Sequence, residues 1–507
     1  MVDSLTVLDV AFAILGAFIL KTFLKPPQRT PLPPGPRPIL GAFALPSGSD
    51  KEWITYGKWA ETWGDITSVT VFGQPLIAVN SVQVAREMLD KKSSIYSDRP
   101  VLQMCGELVG WKKSLGLLQY GTSQFRRTRR YFHQSVGTPT NVARFHPIQA
   151  KETCKFLQHL LESPGNFLSH IRQSANTTLL RIAYGYIVES DEDPLIRMVD
   201  TAMAEFSESS APGEYLVDVL PILKYIPSWM PGAGFKRKAK LWATHLTEVT
   251  EKPFKFVQDQ MAQGSARDSF TSILLGAGPS GTEISDVKWA AGAVYAAGVD
   301  TTVSVISLFF LLMTLHPEIQ AKAQAEIDRV VGSHRLPTHA DRASLPYVDA
   351  LCKETFRYHP VAPMAVPHRA MEDDIHDGYF IPKGSIILPN IWNMAHDPAV
   401  YKDPMTFNPS RFITSDGHIA EPDPRDIIFG FGRRYFPGRL MGDASVFIAC
   451  AMTLAAFTIS KTVKDGQVTE PVMDFLPGTV SRAAPFLCSI TPRSPEAAAL
   501  ISAQSHV

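Results

Sequence analysis

Residues 429–439 read Phe-Gly-Phe-Gly-Arg-Arg-Tyr-Phe-Pro-Gly-Arg. Their three glycines and one proline predict a loop with tight turns rather than a helix or a strand. The loop closes a proline-rich region at 360–437, and the apolar run at 440–458 that follows it predicts a buried helix. The sequence therefore places this loop between an irregular region and an element of the core.

Composition limits the class of protein. The chain has 507 residues, of which 45% are apolar, so it buries a large core and is not wholly disordered. Its 49 basic and 49 acidic side chains balance, and we expect no nucleic-acid partner, because duplex-binding proteins are strongly basic. The five cysteines are too scattered for a disulfide framework or a metal motif: Cys105, Cys154, Cys352, Cys450 and Cys488.

The N-terminus carries an apolar run at residues 5–24, which has the length of about 20 residues that spans a bilayer core. Lys21, Lys25 and Arg29 stand at its end, and the positive-inside rule then places the rest of the chain in the cytosol. We predict a single-pass membrane anchor over residues 1–25. A cleaved signal peptide and a buried helix are the alternatives.

A proline-rich segment follows at residues 26–41. Such a run is stiff and extended, so it predicts a rigid hinge between the membrane and a globular domain. A ligand for a proline-reading domain is the alternative.

Most of the remaining chain has helical periodicity. Helices are predicted at 51–63, over much of 140–275, at 318–331 and at 346–358, and a hairpin is predicted at 66–79. The expected fold class is mainly α with a small β portion.

Residues 289–315 form a 27-residue apolar segment with a single charge, Asp300. By length it is either a second transmembrane helix or a helix buried on all sides in a large domain. The small residues at 296–298 beside Asp300 and Thr301 let a flat, bulky group approach the backbone. From this segment alone both alternatives are open.

Three motifs in order make the chain specific. Glu354 and Arg357 share one helix face, Phe-Asn-Pro-Ser-Arg-Phe follows at 407–412, and the glycine-rich loop follows at 429–439. In this order and spacing the chain resembles the cytochrome P450 family of heme-thiolate monooxygenases, in its membrane-anchored fungal-type form. The resemblance extends from the proline-rich segment to about residue 490.

The resemblance implies a domain organisation and a fold. We expect a membrane anchor at 1–25, a hinge at 26–41, a heme monooxygenase-like domain at 42–492 and a C-terminal tail at 493–507. The fold is then a cytochrome P450 fold behind an N-terminal transmembrane helix, and residues 289–315 become its long central helix.

The resemblance also implies roles for side chains. Glu354, Arg357 and Arg411 match a buried structural ion network under the heme, in which the loss of one member costs about 3–5 kcal/mol. Asp300 and Thr301 match the oxygen-activation motif, where a buried acid and a hydroxyl relay protons through ordered water.

The implied cofactor is heme b, whose propionates would be bound by Arg129, Arg369 and Arg434. Phe125 stands where the family has a tryptophan, and it cannot donate the indole hydrogen bond. Further cations form either a docking patch for a reductase or an ordinary solvated surface: Arg126, Arg127 and Arg433.

The iron-ligand loop departs from the family pattern at one position. Phe429, Gly432, Arg434 and Gly438 match it, but Phe436 stands where the axial, metal-binding cysteine is expected. A phenylalanine has no lone pair for the iron, and its ring is larger than a thiol.

Three explanations of Phe436 are open. The chain is a degenerate or inactivated member, or it carries a single-base change, because cysteine and phenylalanine codons differ at one position. Alternatively, another side chain such as Tyr435 has become the ligand as a phenolate. Cys450 lies 14 residues further on, inside the next helix, and does not replace the missing thiol.

The resulting prediction is a monomeric monooxygenase anchored in the endoplasmic reticulum membrane, with a cytosolic catalytic domain. It inserts one oxygen atom of O2 into a hydrophobic small molecule of secondary metabolism, using electrons from a separate NADPH-dependent reductase. The alternatives are a catalytically inactive P450-like protein, because of Phe436, and a membrane protein with several spans.

Overall fold

The computed structural model is mainly helical with small sheets, which confirms the predicted fold class. The predicted membrane anchor at 1–25 lies outside the residues that the structure describes, which are 30–36, 51–71, 73–190, 193–211, 213–415 and 417–503. Helices and strands are numbered below in chain order as α1–α18 and β1–β12.

The α-helices form most of the domain. The first nine are α1 Glu52–Trp63, α2 Val82–Ala85, α3 Ser93–Tyr96, α4 Ser123–Val136, α5 Pro139–Ala143, α6 His146–Glu162, α7 Phe167–Tyr184, α8 Pro194–Ser210 and α9 Leu216–Val219. The others are α10 Gly234–Ala262, α11 Phe270–Gly276, α12 Thr282–Leu315, α13 Pro317–Val330, α14 Pro346–Tyr358, α15 Ile391–Ala395, α16 Arg425–Ile428, α17 Arg439–Ala456 and α18 Pro495–Ala503.

The sheets are short. The main one has the order β1-β2-β6-β3, in which β1 and β2 form the predicted antiparallel hairpin and β6 runs parallel to β2. Its strands are β1 Ile66–Val71, β2 Gln74–Val79, β3 His368–Arg369 and β6 Ile386–Pro389. Antiparallel pairs make up the rest: β4 Asp374–His376 with β5 Tyr379–Ile381, β7 Phe457–Ser460 with β12 Ser489–Pro492, β8 Thr462–Lys464 with β9 Gln467–Thr469, and β10 Phe475–Leu476 with β11 Arg482–Ala483.

Helix α12 is the centre of the domain. It is 34 residues long, and most of its side chains are buried against α6, α7, α17 and their neighbours in the largest hydrophobic core. Among the described residues, α12 and α17 are long and apolar enough to cross a membrane, yet 67% of the apolar window of each is buried inside the protein. The fold therefore favours a buried central helix at 289–315 over a second membrane span.

The helix after the glycine-rich loop ends earlier than predicted. The sequence favoured a helix over 440–458, whereas α17 ends at Ala456 and the chain continues directly into β7. The aromatic and β-branched residues at 457–459 pair with β12, so strand pairing prevails over continued helix.

Part of the predicted hinge is packed on the sheets. The carbonyl of Pro34 accepts a hydrogen bond from the Ser68 amide at 2.8 Å, and the carbonyl of Pro31 accepts one from Phe380 at 2.7 Å. A Cβ on Gly35 would lie 2.0 Å from the Ser68 carbonyl oxygen, so only glycine fits this approach. Residues 30–36 are thus a docked segment of the domain rather than free spacer.

Candidate functional site

The predicted ion network is present as a set of contacts between fully buried side chains. The guanidinium of Arg357 donates to both carboxylate oxygens of Glu354, at 2.7 and 2.8 Å. Arg411 donates to Glu354 at 3.1 Å and to Glu421, which the sequence did not predict, at 2.8 Å. Glu354, Arg357 and Arg411 are each at most 3% exposed.

We call Glu354, Arg357, Arg411 and Glu421 the balanced network, because their charges cancel. Two carboxylates cancel two guanidinium charges, and remaining donors bind backbone carbonyls, such as Arg357 to Ala395 at 2.9 Å and Arg411 to Thr406 at 3.0 Å. A buried ion cluster is stable only when its charges and hydrogen bonds are satisfied in this way.

A second group of cations surrounds the glycine-rich loop. Arg434 is 9% exposed and donates to the carbonyls of Ser97 at 2.7 Å and Leu118 at 2.5 Å, while buried Arg99 donates to Val366 at 2.7 Å. These carbonyls accept the hydrogen bonds of the two guanidinium groups, but they carry no net negative charge that would balance them. Burial accordingly lowers the pKa of Arg434 to about 10, and burial together with the charge of Arg434 lowers the pKa of Arg99.

Two further arginines complete this group. Arg369 on β3 donates to Asp98 at 3.1 Å through Nε and to Gln119 at 2.9 Å. Arg129 on α4 donates to the Tyr435 carbonyl at 2.7 Å, and burial lowers the pKa of its guanidinium. The three arginines predicted as propionate ligands therefore lie around the same loop.

We call Arg99, Arg129, Arg369 and Arg434, together with Asp98, the cationic cluster. Four guanidinium groups meet one buried carboxylate, and among the residues that the structure describes no second anion balances the other three positive charges. Buried charge without a counter-ion is costly, and guanidinium groups match carboxylates in bidentate geometry. The cluster therefore fits a ligand that carries two carboxylates.

Phe125 has a contact of its own in this cluster. The guanidinium carbon of Arg434 lies 4.2 Å from the centroid of the Phe125 ring, and this ring is 5% exposed. A cation above an aromatic face is attracted by the ring quadrupole. Phe125 thus supports Arg434 through its face, where a tryptophan would also have offered an N–H.

Glycine is required at position 432 of the loop. The residue has φ of +52°, and a Cβ there would lie 2.1 Å from the Leu89 carbonyl oxygen. Its amide donates to the carboxylate of Asp90 at 2.5 Å. This contact holds the loop against the π-helix Arg86–Lys91 and positions Arg434 two residues later.

Phe436 packs back on its own loop. Its amide donates to the Phe429 carbonyl at 2.8 Å, and the two rings stack with centroids 6.3 Å apart. A Cβ on Gly438 would lie 3.0 Å from the tip of the Phe436 ring. The loop therefore has its predicted shape, but the side chain at the ligand position carries no atom that binds a metal.

Two other side chains, Tyr435 and Cys450, come into question as metal ligands, but both make other contacts. The Tyr435 hydroxyl donates to the Arg425 carbonyl at 2.8 Å, and burial raises the pKa of this phenol, which disfavours a phenolate ligand. Cys450 is fully buried within α17 beside Cys352, and burial raises the pKa of its thiol well above the usual value. The structure argues against both as a metal ligand.

On α12, the turn that carries the small residues is accessible. Ala297 is exposed although it stands in the middle of the central helix, and the Thr301 hydroxyl donates to its carbonyl at 2.8 Å. On the adjacent residue, a Cβ at Gly298 would lie 2.7 Å from Leu179, so glycine allows α7 to pack tightly. The helix therefore presents a small, flat surface on one side and close packing on the other.

Asp300 differs from the buried acid that the sequence predicted. Its side chain is 29% exposed and pairs with Arg172 of α7 at 2.9 Å, and Arg172 also pairs with Asp200 of α8 at 3.0 Å. Burial raises the pKa of Asp200. Asp300 is thus the inner end of a partly solvated chain of charges across three helices.

Sequence reasoning missed five of these residues. Glu421, Arg99 and Asp98 lie in loops or extended segments, where no periodicity marks a buried charge. Arg172 and Asp200 lie on helices where an isolated charged side chain is typical of a solvated face. Only the three-dimensional fold brings them to the site.

The fold and the site define a class of protein: a helical domain built around a long central helix, with a cationic cluster that fits a dianionic ligand. A family model described as Cytochrome P450 matches residues 31–483. The chain is 51% identical over 502 residues to cytochrome P450 monooxygenase 208 of Postia placenta, with 98% of both chains covered.

Two other relatives agree. Cytochrome P450 monooxygenase claR of Ampulloclitocybe clavipes is 43% identical, with 98% of this chain and 93% of the relative covered. O-methylsterigmatocystin oxidoreductase of Aspergillus flavus is 39% identical, with 96% and 92% covered. The chain belongs to the cytochrome P450 family, which confirms the predicted family and makes it a member of a class of monooxygenases.

Family membership implies heme, redox partners and small-molecule substrates. The cationic cluster fits the two propionate carboxylates of heme, and the exposed Ala297 turn fits its flat ring. The ligand position does not fit the iron, because Phe436 has no donor atom. The chain therefore has side chains that fit the carboxylates of the macrocycle, whereas the side chain at the expected ligand position does not fit the iron.

Proposed function

We propose that this protein is a heme b monooxygenase that oxidises, and specifically hydroxylates, a hydrophobic small molecule of secondary metabolism. The observation that carries the proposal is the cationic cluster, whose unbalanced positive charge calls for a dianionic cofactor. Dioxygen and electrons from an NADPH-dependent reductase complete the reaction.

Arg129, Arg369 and Arg434 would bind the propionates, and Arg99 would add to the positive potential. Heme, when bound, supplies the iron chemistry that activates dioxygen. The contribution of the chain is to neutralise the carboxylates in a site of low polarity and to keep the ring against α12.

Asp300 and Thr301 would handle protons. The Thr301 hydroxyl donates to the Ala297 carbonyl, so its oxygen is free to accept a hydrogen bond from water at the exposed turn. The carboxylate of Asp300, tied to Arg172, stands next to it in sequence and opens to solvent through Asp200. Such a chain of charges delivers protons from bulk water.

A second candidate function is supported by Phe436. A chain that folds as a cytochrome P450 but has no thiolate binds heme or a hydrophobic ligand without activating dioxygen. The tightly packed loop around Phe429 and Gly438 supports this candidate, because Phe436 fits there without an alternative donor.

The two candidates separate in one spectroscopic experiment. The full-length protein, Phe436→Cys and Phe436→Ala are loaded with heme b, reduced under carbon monoxide, and compared by their Soret bands. Phe436→Ala is the matched control, because it removes the ring without adding a sulfur atom. The proposed monooxygenase should give a thiolate-type band in the unmodified protein, whereas the non-catalytic candidate should give this band in Phe436→Cys alone.

Each outcome decides a point. A thiolate-type band in the unmodified protein contradicts the reading of position 436 and supports the monooxygenase. Its absence there, with recovery in Phe436→Cys, supports the non-catalytic candidate for the chain as it stands. Absence in all three, with no heme retained, overturns the proposed cofactor.

The chain is also proposed to work at the endoplasmic reticulum membrane as a single-pass monomer. Large apolar side chains are exposed between α9 and the start of α10, and such a surface is typical of contact with lipid: Leu216, Leu220, Ile222, Tyr225 and Trp229. Solubility of the protein without residues 1–30 would exclude several membrane spans.

For the reductase, the available cations are fewer than predicted. Arg127 pairs with Asp286 at 2.5 Å, whereas Arg126 and Arg433 are exposed. We propose that these two contribute to the docking patch and that Arg127 serves the contact between α4 and α12.

A further inference from the structure

The β4–β5 hairpin brings a buried histidine against two carboxylates. His376 ends β4 and is 4% exposed, and its Nε2 makes no hydrogen bond. The carboxylate oxygens of Asp377, in the hairpin turn, and of Glu87, on the π-helix Arg86–Lys91, lie 3.4 and 3.9 Å from this nitrogen. A buried imidazole nitrogen is rarely left without a partner.

The spacing of these atoms is close to that of a metal site. The three ligand atoms lie within 4.8 Å of one another. A tetrahedral zinc ion with bonds of about 2.1 Å requires ligand atoms about 3.4 Å apart. We propose that His376, Glu87 and Asp377 bind a divalent transition-metal ion of the zinc type, with water as the fourth ligand.

The choice of metal follows from the donors. One imidazole and two carboxylates suit zinc, whereas magnesium and calcium prefer oxygen ligands alone. Glu87 is 30% and Asp377 is 61% exposed, so an ion and its water can enter from solvent. The other acid of the hairpin, Asp374, is not available, because it binds Lys92 and Tyr96 at 2.7 Å each.

The ion would join two parts of the chain. Glu87 belongs to the same π-helix as Asp90, whose carboxylate accepts the hydrogen bond from Gly432 of the glycine-rich loop. A metal that ties this helix to the hairpin therefore supports the segment against which the loop is packed. Its role is structural, and it is separate from the heme.

The chain offers a matched control hairpin. Asp465 and Gly466 connect β8 and β9 with the same turn as Asp377 and Gly378 connect β4 and β5, and both aspartates have positive φ, +53° and +47°. Residue 464, before the control turn, is a lysine instead of a histidine. Asp465→Asn therefore changes the same kind of turn without a metal site.

The test measures zinc binding by the full-length protein. Chelator-treated protein is titrated with Zn²⁺ against a chromophoric competitor, and bound metal per chain is determined by atomic absorption. We expect one tight site in the unmodified protein. In His376→Asn, Glu87→Gln and Asp377→Asn, affinity should fall by more than the about 10–100-fold that loss of an outer partner costs.

Controls make the result decisive. Asp465→Asn and the substitution His334→Asn, at an exposed histidine, should retain the site. If His376→Asn does not fold, Glu87→Gln decides, because Glu87 lies at the surface. Equal zinc content in all variants means an adventitious ion only, and either that result or the absence of a tight site in the unmodified protein overturns the proposal.

Discussion

The balanced network and the cationic cluster differ in one property, their sum of charges. Glu354 and Glu421 cancel two arginines in the first, whereas Asp98 stands alone against four in the second. Both are largely buried and hydrogen-bonded to backbone carbonyls. The first therefore stabilises the fold by itself, whereas the second lacks a balancing anion within the described part of the chain and fits an anionic ligand.

Substitution of Glu354 should have the largest effect. Glu354→Gln leaves Arg357 and Arg411 buried beside a neutral amide, and we expect a loss of about 3–5 kcal/mol of stability, read from the thermal unfolding midpoint. The control is Glu248→Gln, which breaks an exposed pair with Lys252 on α10 and should leave the midpoint unchanged. Equal midpoints for the two variants would remove the distinction between buried and surface pairs.

Substitution in the cationic cluster should change heme affinity instead of stability. Arg434→Gln removes a charge that repels Arg99, so the heme-free protein should keep its unfolding midpoint. Affinity for heme b should fall about ten- to hundredfold, which corresponds to one lost charge-assisted hydrogen bond of about 1.5–3 kcal/mol. A Soret titration measures the affinity.

The neighbouring Arg433 provides the control for this comparison. Its exposed guanidinium binds the Tyr120 hydroxyl, so Arg433→Gln should leave heme affinity unchanged. If Arg434→Gln destabilises the heme-free protein as much as Glu354→Gln does, the two clusters do not differ in kind.

Low pH should reduce the folding stability of the protein through His396, a neighbour of the balanced network. Burial lowers the pKa of His396 to about 4, with Arg357 adding to the effect. The folded state therefore binds this proton less readily than the unfolded state, and stability is complete above pH 6.5 and declines as pH falls toward 4. The expected slope from this group is about 1.4 kcal/mol per pH unit.

Thermal midpoints between pH 4 and 7 test this slope. His359 and His339 also have pKa values lowered by burial, to about 3, so His396→Gln should reduce the slope without abolishing it. His334→Gln, at the surface, should not change it. An unchanged slope in His396→Gln would show that the network does not sense this proton.

Much of this could be predicted from the sequence, for identifiable reasons. Helical periodicity revealed α13 and α14 almost to the residue, and the motif order identified the family together with Glu354, Arg357 and Arg411. The local sequence pattern also predicted the hairpin at 66–79. These features depend on short-range pattern, which a sequence displays directly.

The rest depends on contacts between distant segments. Glu421 and Arg99 reach their clusters from irregular segments, and the zinc-type site needs Glu87 and His376, which are almost 290 residues apart. The end of α17 at Ala456 is decided by a strand that follows much later. No local sequence pattern predicts these contacts between distant segments, because tertiary packing decides whether a segment forms a helix, a strand or a loop.

The packing of Pro31 against the domain limits the distance between the domain and the predicted membrane anchor. If the predicted anchor ends at residue 25, six peptide steps separate it from Pro31, whose carbonyl is held by Phe380. Even fully extended, that stretch reaches only about 20 Å. With such an anchor, the domain would therefore lie close to the membrane surface and could adopt only a restricted set of orientations there.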